Sequence, residues 1–214
     1  MMTTFIIADN QELTRVGLQS LVSEDDAQVL YAPDKAELIA LLMQYEESVV
    51  IVDYTLFDFT DVDNLLIVAE RFKNSHWLLI SDDLTGEFLK RVFYASKPMG
   101  VVFKDQSLHI IREAIQYTVS GNRYISQRAV GLLLSQQPEE PATATSLTTT
   151  ELEILKAIAQ GKTTKEIAAD RFSSIHTINT HRKNIFRKLG VNTAHEAVKY
   201  AFRAGLVDPS EFYI

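Results

Sequence analysis

Five short apolar runs, each followed by an amphipathic stretch, constrain the front of this chain more than any other feature. They are FIIA (5–8), a shorter run near Val29 to Tyr31, VVIV (49–52), WLLI (77–80) and VVF (101–103). A strand that is apolar on both sides has to be covered on both sides, and strands that alternate with helices build parallel sheets. The stretches between them carry helical periodicity, near Leu13 to Ser23, Lys35 to Tyr45, Val62 to Phe72, Gly86 to Tyr94 and Leu108 to Ser120. The expectation is an α/β, doubly wound, five-stranded parallel sheet occupying residues 1–120.

Working residues in such sheets gather at the carboxyl ends of the strands. Strand one stops at Asp9-Asn10, strand three at Asp53, strand four at Ser81 and strand five at Lys104. That set suits phosphoryl transfer: a carboxylate nucleophile, a place for a divalent cation against gathering negative charge, and a fixed ammonium for the transferred oxygens. On these residues the segment 4–120 resembles a response-regulator receiver domain of flavodoxin-like fold. The resemblance implies that Asp53 accepts a phosphoryl group from a sensor histidine kinase. It also implies that Asp9, Asn10, Asp53 and Thr55 hold Mg²⁺, and that Ser81 and Lys104 sense the phosphate.

Three residues depart from the receiver pattern. Asn10 offers a neutral oxygen where the second acidic ligand usually stands, which lowers the expected affinity for Mg²⁺. Phe57 replaces a usual proline, and Val101 stands where an aromatic residue commonly couples phosphorylation to the far face. Two readings stay open: a regulator phosphorylated on Asp53, and a phosphorylation-independent regulator with a degenerate receiver. A true enzyme, such as a haloacid-dehalogenase-like phosphotransferase, usually needs a second carboxylate two residues after the nucleophile. Thr55 occupies that position, so no enzyme is expected.

The remaining length calls for a second domain within the 214 residues. Absence of cysteine excludes disulfides and thiolate metal sites and fits a reducing compartment. The opening MMTTFIIADN has no basic region and too short an apolar run for export or membrane spanning, so a cytoplasmic protein that does not engage membranes is expected. The net charge of -7 divides unevenly: residues 1–146 hold 11 Lys+Arg against 21 Asp+Glu, and residues 147–214 hold 10 against 7. A weakly basic module follows an acidic one, which suggests binding that relies on dimerisation and base contacts as well as bulk charge. Between them, 121–146 reads as a connector helix from Arg128 to Leu134 behind Ser126, then a polar linker, SQQPEEPATATS.

In the basic module, Thr148 and Glu151 have capping-box spacing, and Leu152, Leu155 and Ile158 are expected in the core of a helix that Gly161 ends. From Thr164 to Leu189 the periodicity gives a short helix, a turn at Phe172, Ser173 and Ser174, and a longer helix with Ile178, Ile185, Phe186 and Leu189 on its apolar side. Thr148, Glu151, Leu155, Ala159, Gly161, Lys165-Glu166-Ile167-Ala168, Ser174, Thr177, Ile178, His181, Ile185, Lys188 and Leu189 look like the LuxR-type helix-turn-helix signature. Arg171 departs from it, standing where an apolar residue is usual, and Phe172 is expected to fill the core in its place.

By that resemblance Asn179, Thr180 and Lys183 read bases in the major groove, and Lys165, Arg182 and Lys188 lie nearer the phosphates. Thr164, Ser174, Thr177 and His181 complete the DNA-binding set. A final helix with Ala197, Val198, Ala201 and Phe202 on one face corresponds to the family's dimer contact, which places two reading helices about 34 Å apart on adjacent half-sites. Phe212, Tyr213 and Ile214 form an apolar tail. A scaffold that binds protein through the same face is the reading from another class. Together the two resemblances describe a NarL/FixJ-like response regulator. It would have a receiver at 1–120, a connector and linker at 121–146, and a small all-α, four-helix helix-turn-helix domain at 147–214 that binds double-stranded DNA as a homodimer.

Overall fold

The structure, a computed structural model, describes residues 3–22, 27–134 and 147–203; the linker expected at 135–146 and the tail Phe212 to Ile214 lie outside them. The chain divides into two compact units, Met1–Gln136 and Gln137–Ile214.

In the first unit, β1 (Thr3–Ala8), β2 (Ala27–Tyr31), β3 (Ser48–Val52), β4 (His76–Ser81) and β5 (Met99–Phe103) form one sheet in the order β2-β1-β3-β4-β5. Every pairing is parallel. The helices are α1 (Glu12–Val22), α2 (Lys35–Gln44), α3 (Val62–Arg71), α4 (Gly86–Phe93), α5 (Leu108–Val119) and α6 (Gln127–Leu134). Alternate strand residues point to opposite faces. Ile6, Ala8, Val50 and Val52 meet Leu38, Leu42, Leu65 and Phe88 of α2, α3 and α4, while Phe5, Ile7, Val49 and Ile51 meet Leu18, Leu21, Ile111 and Ile115 of α1 and α5. Strand order therefore reverses at β1 and β3, which opens a crevice beyond their carboxyl ends. Asp34, Asp61, Thr85 and Ser107 cap α2, α3, α4 and α5 by accepting from backbone N–H groups.

The segment after α5 does what its sequence did not announce. The Val101 N–H donates to Tyr124 O (2.7 Å) and the Ser126 N–H donates to Val101 O (3.0 Å), so residues 124–126 add a parallel bridge to the outer edge of β5. Gly100 permits the approach: a Cβ there would lie 3.3 Å from Tyr124 O and 3.0 Å from Leu78 Cδ1. Helix α6 then packs on α4 and β5 with Ala129 buried, covering an edge that would otherwise expose unpaired backbone.

The second unit comprises α7 (Thr149–Ala159), α8 (Thr164–Asp170), α9 (Ile175–Leu189) and α10 (Ala194–Arg203). Thr148 and Thr163 start α7 and α8 with capping boxes, Ser174 caps α9, and Gly161 and Gly190 follow helices in the left-handed conformation. The core joins Ile154, Leu155, Ile158, Ile167, Ile178, Ile185, Phe186, Ala197 and Ala201. On α7, Leu155 and Ile158 are buried as expected, whereas Leu152 is only half-buried and Ile154 is fully buried in its place.

The expectation that Phe172 fills the core is corrected. Its side chain is fully exposed and its φ of 49° is left-handed, because the turn between α8 and α9 reverses there. Arg171 stays at the surface, where its Nη1 donates to Glu153 Oε2 at 2.8 Å. Among the described residues no helix is long and apolar enough to cross a membrane.

Candidate functional site

The crevice at β1 and β3 gathers the residues that the strand ends indicated. Asp9 and Asp53 are fully buried, and the Lys104 ammonium at the end of β5 donates to Asp53 Oδ2 (2.7 Å), Asp9 Oδ2 (3.0 Å) and Gln11 Oε1 (3.2 Å). The Gln11 N–H donates to Asp9 Oδ1 at 2.6 Å. Burial, reinforced by Asp9 and opposed by Lys104, pushes the Asp53 carboxyl up to about 6. Burial works against the Lys104 ammonium as well, but Asp53 and Asp9 outweigh it and lift its pKa above the ordinary lysine value.

Ser81 lies 3.5 Å from Asp53 Oδ1 and bonds the Thr55 hydroxyl; both hydroxyls also lie 3.3 Å from Asp83 O. Two hydroxyl protons thus serve Asp53, Asp83 and one another, and cannot satisfy all at once. Asn10 turns its amide nitrogen to Leu56 O (2.7 Å), pinning the loop after β3 and leaving only its Oδ1 to offer a cation. Among the described residues no cluster of three or more His, Cys, Asp or Glu gathers. The oxygens of Asp9, Asp53, Asn10 and Thr55, two of them carboxylate groups, still fit Mg²⁺, a hard cation that is often held by one or two carboxylates with water completing its shell.

On α9 the phase of the helix decides which side chains can meet a partner. With Ile178, Ile185 and Phe186 buried, the opposite stripe at 100° per residue is His176, Thr180, Lys183 and Arg187, flanked by Thr177 and Asn184. Thr177, Thr180, His176 and Arg187 are exposed, and Lys183 is half-buried. Thr177 shares a hydrogen bond with Ser174, and the Thr180 hydroxyl donates back to His176 O. Lys165, at the start of α8, is exposed, and His181 sits half-buried beside the stripe.

Three residues expected on this face are buried or engaged within the unit. Asn179 is only 5% exposed, on the flank that carries Phe186, and does not stand on the exposed stripe. Arg182 points inward between α8 and α9: Nη1 donates to Thr164 Oγ1 (3.2 Å), the guanidinium lies over Phe186, and burial pushes its pKa down to about 10. Lys188 turns to Glu151, with Nζ 2.6 Å from Oε2. His176 belongs to the stripe although sequence reasoning passed over it; the buried phase of Ile178, Ile185 and Phe186 was the signal that could have found it.

The family described as "Bacterial regulatory proteins, luxR family" matches residues 145–201. Over almost its whole length the chain is similar to the transcriptional regulatory protein LiaR of Bacillus subtilis (strain 168), 27% identical over 212 residues, covering 97% of this chain and 100% of LiaR. It is equally similar to the oxygen regulatory protein NreC of Staphylococcus carnosus (strain TM300), 27% identical over 217 residues, with 95% and 98% covered. Among solved structures it shares its fold with RcsB from Salmonella enterica serovar Typhimurium bound to promoter P1flhDC in the presence of phosphomimetic BeF3-. That likeness has a TM-score of 0.55 at 22% identity, covering 94% of this chain and 98% of the other. A structure of two RcsB dimers bound to two parallel DNAs gives a TM-score of 0.54 at 22% identity, with the same coverage.

Proposed function

We propose that this chain, a response regulator of the NarL/FixJ type with a LuxR-type helix-turn-helix, accepts a phosphoryl group on Asp53 and so controls how a homodimer engages two half-sites on double-stranded DNA. The carrying observation is the Lys104 ammonium bonded at once to the buried Asp9 and Asp53, with Ser81 in reach of the acceptor oxygen. An Asp53 carboxylate oxygen attacks the phosphorus of a kinase phosphohistidine; the P–O bond forms, the P–N bond breaks, and the departing imidazole takes a proton from water. Lys104 holds the acceptor and then meets a phosphoryl oxygen, while Ser81 or Thr55 donates to another. Held by Asp9, Asp53, Asn10 and Thr55, Mg²⁺ would supply positive charge against the incoming oxygens.

Incubation with a small phosphodonor and Mg²⁺ is expected to leave an acid-stable, base-labile adduct on Asp53, and none on Asp53→Asn. No adduct on the parent chain would instead favour the phosphorylation-independent regulator that Asn10 suggests.

For the second unit, the reading rests on an exposed stripe of donors along α9, which carries no Asp or Glu between Ser174 and Gly190. The N-terminal part of such a helix enters the major groove. His176, Thr180 and Lys183 are the base readers of this proposal, with Lys165 on the phosphates. Lys183→Ala is expected to relax preference at particular base pairs by about 1–3 kcal/mol. Lys165→Ala should weaken all sequences alike and flatten the salt dependence by about one unit. Binding titrations on specific and scrambled duplexes at several salt concentrations separate the two, and equal small effects would sink the assignment.

A further inference from the structure

Helix α6 reaches back to the acceptor edge through one side chain. The Arg128 Nη2 donates to Asp83 Oδ1 (2.9 Å), and Nη1 donates to Asp105 Oδ2 (2.9 Å) and Asp82 O (3.3 Å). Its guanidinium carbon lies 4.1 Å from the centre of the Phe103 ring. These contacts touch the loop that follows β4 and the loop that follows β5, which carry the chain away from Ser81 and Lys104. Asp83 is the common member: its carboxylate receives Arg128, and its carbonyl receives the Thr55 hydroxyl and the Ser81 hydroxyl, the second of which also reaches Asp53.

The ion pairs are partly exposed, with Arg128 at 35%, Asp83 at 53% and Asp105 at 62%, so neither is strong alone. Their joint geometry is nonetheless specific to a planar guanidinium, which spans two carboxylates, a carbonyl and a ring in a way an ammonium cannot. A contact that is selective in shape and modest in strength suits an equilibrium that must shift.

We infer that Arg128 is a positioning residue that couples the bonding state of Ser81 and Thr55 to the docking of α6 and residues 124–126 on β5. When the Ser81 hydroxyl donates toward Asp53 and the Thr55 hydroxyl follows it by donating to Ser81, the Asp83 carbonyl loses its donors, the loop that carries Asp83 is released, and Arg128 loses its seat. Helix α6 then lifts from α4 and β5, and the Val101 N–H and carbonyl on the outer edge of β5 become available. The coupling is reciprocal, so freeing α6 must also ease the change at Asp53. The trigger rests on the phosphorylation proposed above; the coupling rests on the contacts of Arg128.

Hydrogen exchange read by mass spectrometry on the full chain tests this, with Arg128→Ala and Arg128→Lys, each with and without a small phosphodonor and Mg²⁺. Without donor, Arg128→Ala is expected to speed exchange of 127–134 and of the loop 82–85 at least ten-fold, about 1.4 kcal/mol of opening free energy, with β1 and β3 unchanged. Arg128→Lys should not restore protection, and the adduct on Asp53 should form several-fold faster in Arg128→Ala than in the parent. Unchanged exchange of 127–134 overturns the inference. So does faster exchange of α6 alone, with the loop 82–85 and the adduct rate unmoved, because Arg128 would then be only a helix anchor. If neither protein takes up phosphoryl while both segments respond to Arg128→Ala, the coupling stands and the phosphorylation reading falls.

Discussion

Lys104→Met is expected to cost the first unit about 3–5 kcal/mol at pH 8, the usual consequence of removing one partner from a buried ion pair. The methionine keeps most of the alkyl packing, so the loss isolates the charge. Asp9 and Asp53 would face each other without their shared ammonium, which now lies 3.0 and 2.7 Å from them. The sign of the pH dependence follows from Asp53. Its carboxyl stands at about 6 in the folded chain, above the ordinary value of 3.8, so its contribution to stability is present below the ordinary value and is lost as pH rises through 6. Without Lys104, which pulls that value down, the loss extends to higher pH. The gap between parent and variant should therefore narrow toward pH 5, and Asp53→Asn in the variant background should narrow it at pH 8 as well. Trp77, the chain's one tryptophan, is buried in β4, so urea titrations followed by its fluorescence report this unit alone. A gap that is equal at both pH values and indifferent to Asp53→Asn would show that the carboxylates are not its source.

The acceptor edge could be read from sequence because two strong constraints coincide. Runs such as VVIV have no polar face, so they have to lie inside a covered parallel sheet, and such a sheet brings the residues after each run to one side. Asp9, Asp53, Ser81 and Lys104 meet there with 95 residues of sequence separating Asp9 from Lys104. What escaped was anything set by a side chain's direction or by a distant backbone edge. Asn10 reads as a weakened ligand, yet its amide nitrogen also clamps Leu56 O, a role that spacing cannot reveal. Residues 124–126 lack a strand's length or alternation, and their pairing is specified by the open edge of β5 and the absent side chain of Gly100. Arg128 looks like any solvated helix position until the loops after β4 and β5 come beneath it. On α9 the helix itself was evident, but naming Asn179 outward placed it one residue from buried Ile178 and seven from buried Phe186, both on the inward half of the same helix.

Glu151→Ala is the counterpart in the second unit, with an expected loss of about 3–4 kcal/mol. Two interactions end together. Glu151 Oε2 accepts from the Thr148 N–H (2.8 Å), half of a capping box whose loss costs about 1 kcal/mol. The same oxygen holds the Lys188 ammonium at 2.6 Å, with Glu151 at 5% and Lys188 at 20% side-chain exposure, and stranding that ammonium accounts for the remaining 2–3 kcal/mol or so. Burial alone would raise the Glu151 carboxyl, but Lys188 and Thr148 outweigh it and hold it below the ordinary range. Its contribution is therefore present above the ordinary carboxylate pKa and disappears as pH falls through the lowered folded value, an acid limb that Glu151→Gln should flatten. Exchange protection of α7 and α9 measures both effects in the intact chain. Lys188→Met then separates structure from DNA contact. A lysine committed to Glu151 should lower the unit's stability while leaving the salt dependence of DNA binding by the folded fraction unchanged, whereas a phosphate contact would reduce that slope by about one unit. The 2.6 Å pairing predicts the first result, and a reduced slope at unchanged stability would return Lys188 to the phosphate backbone.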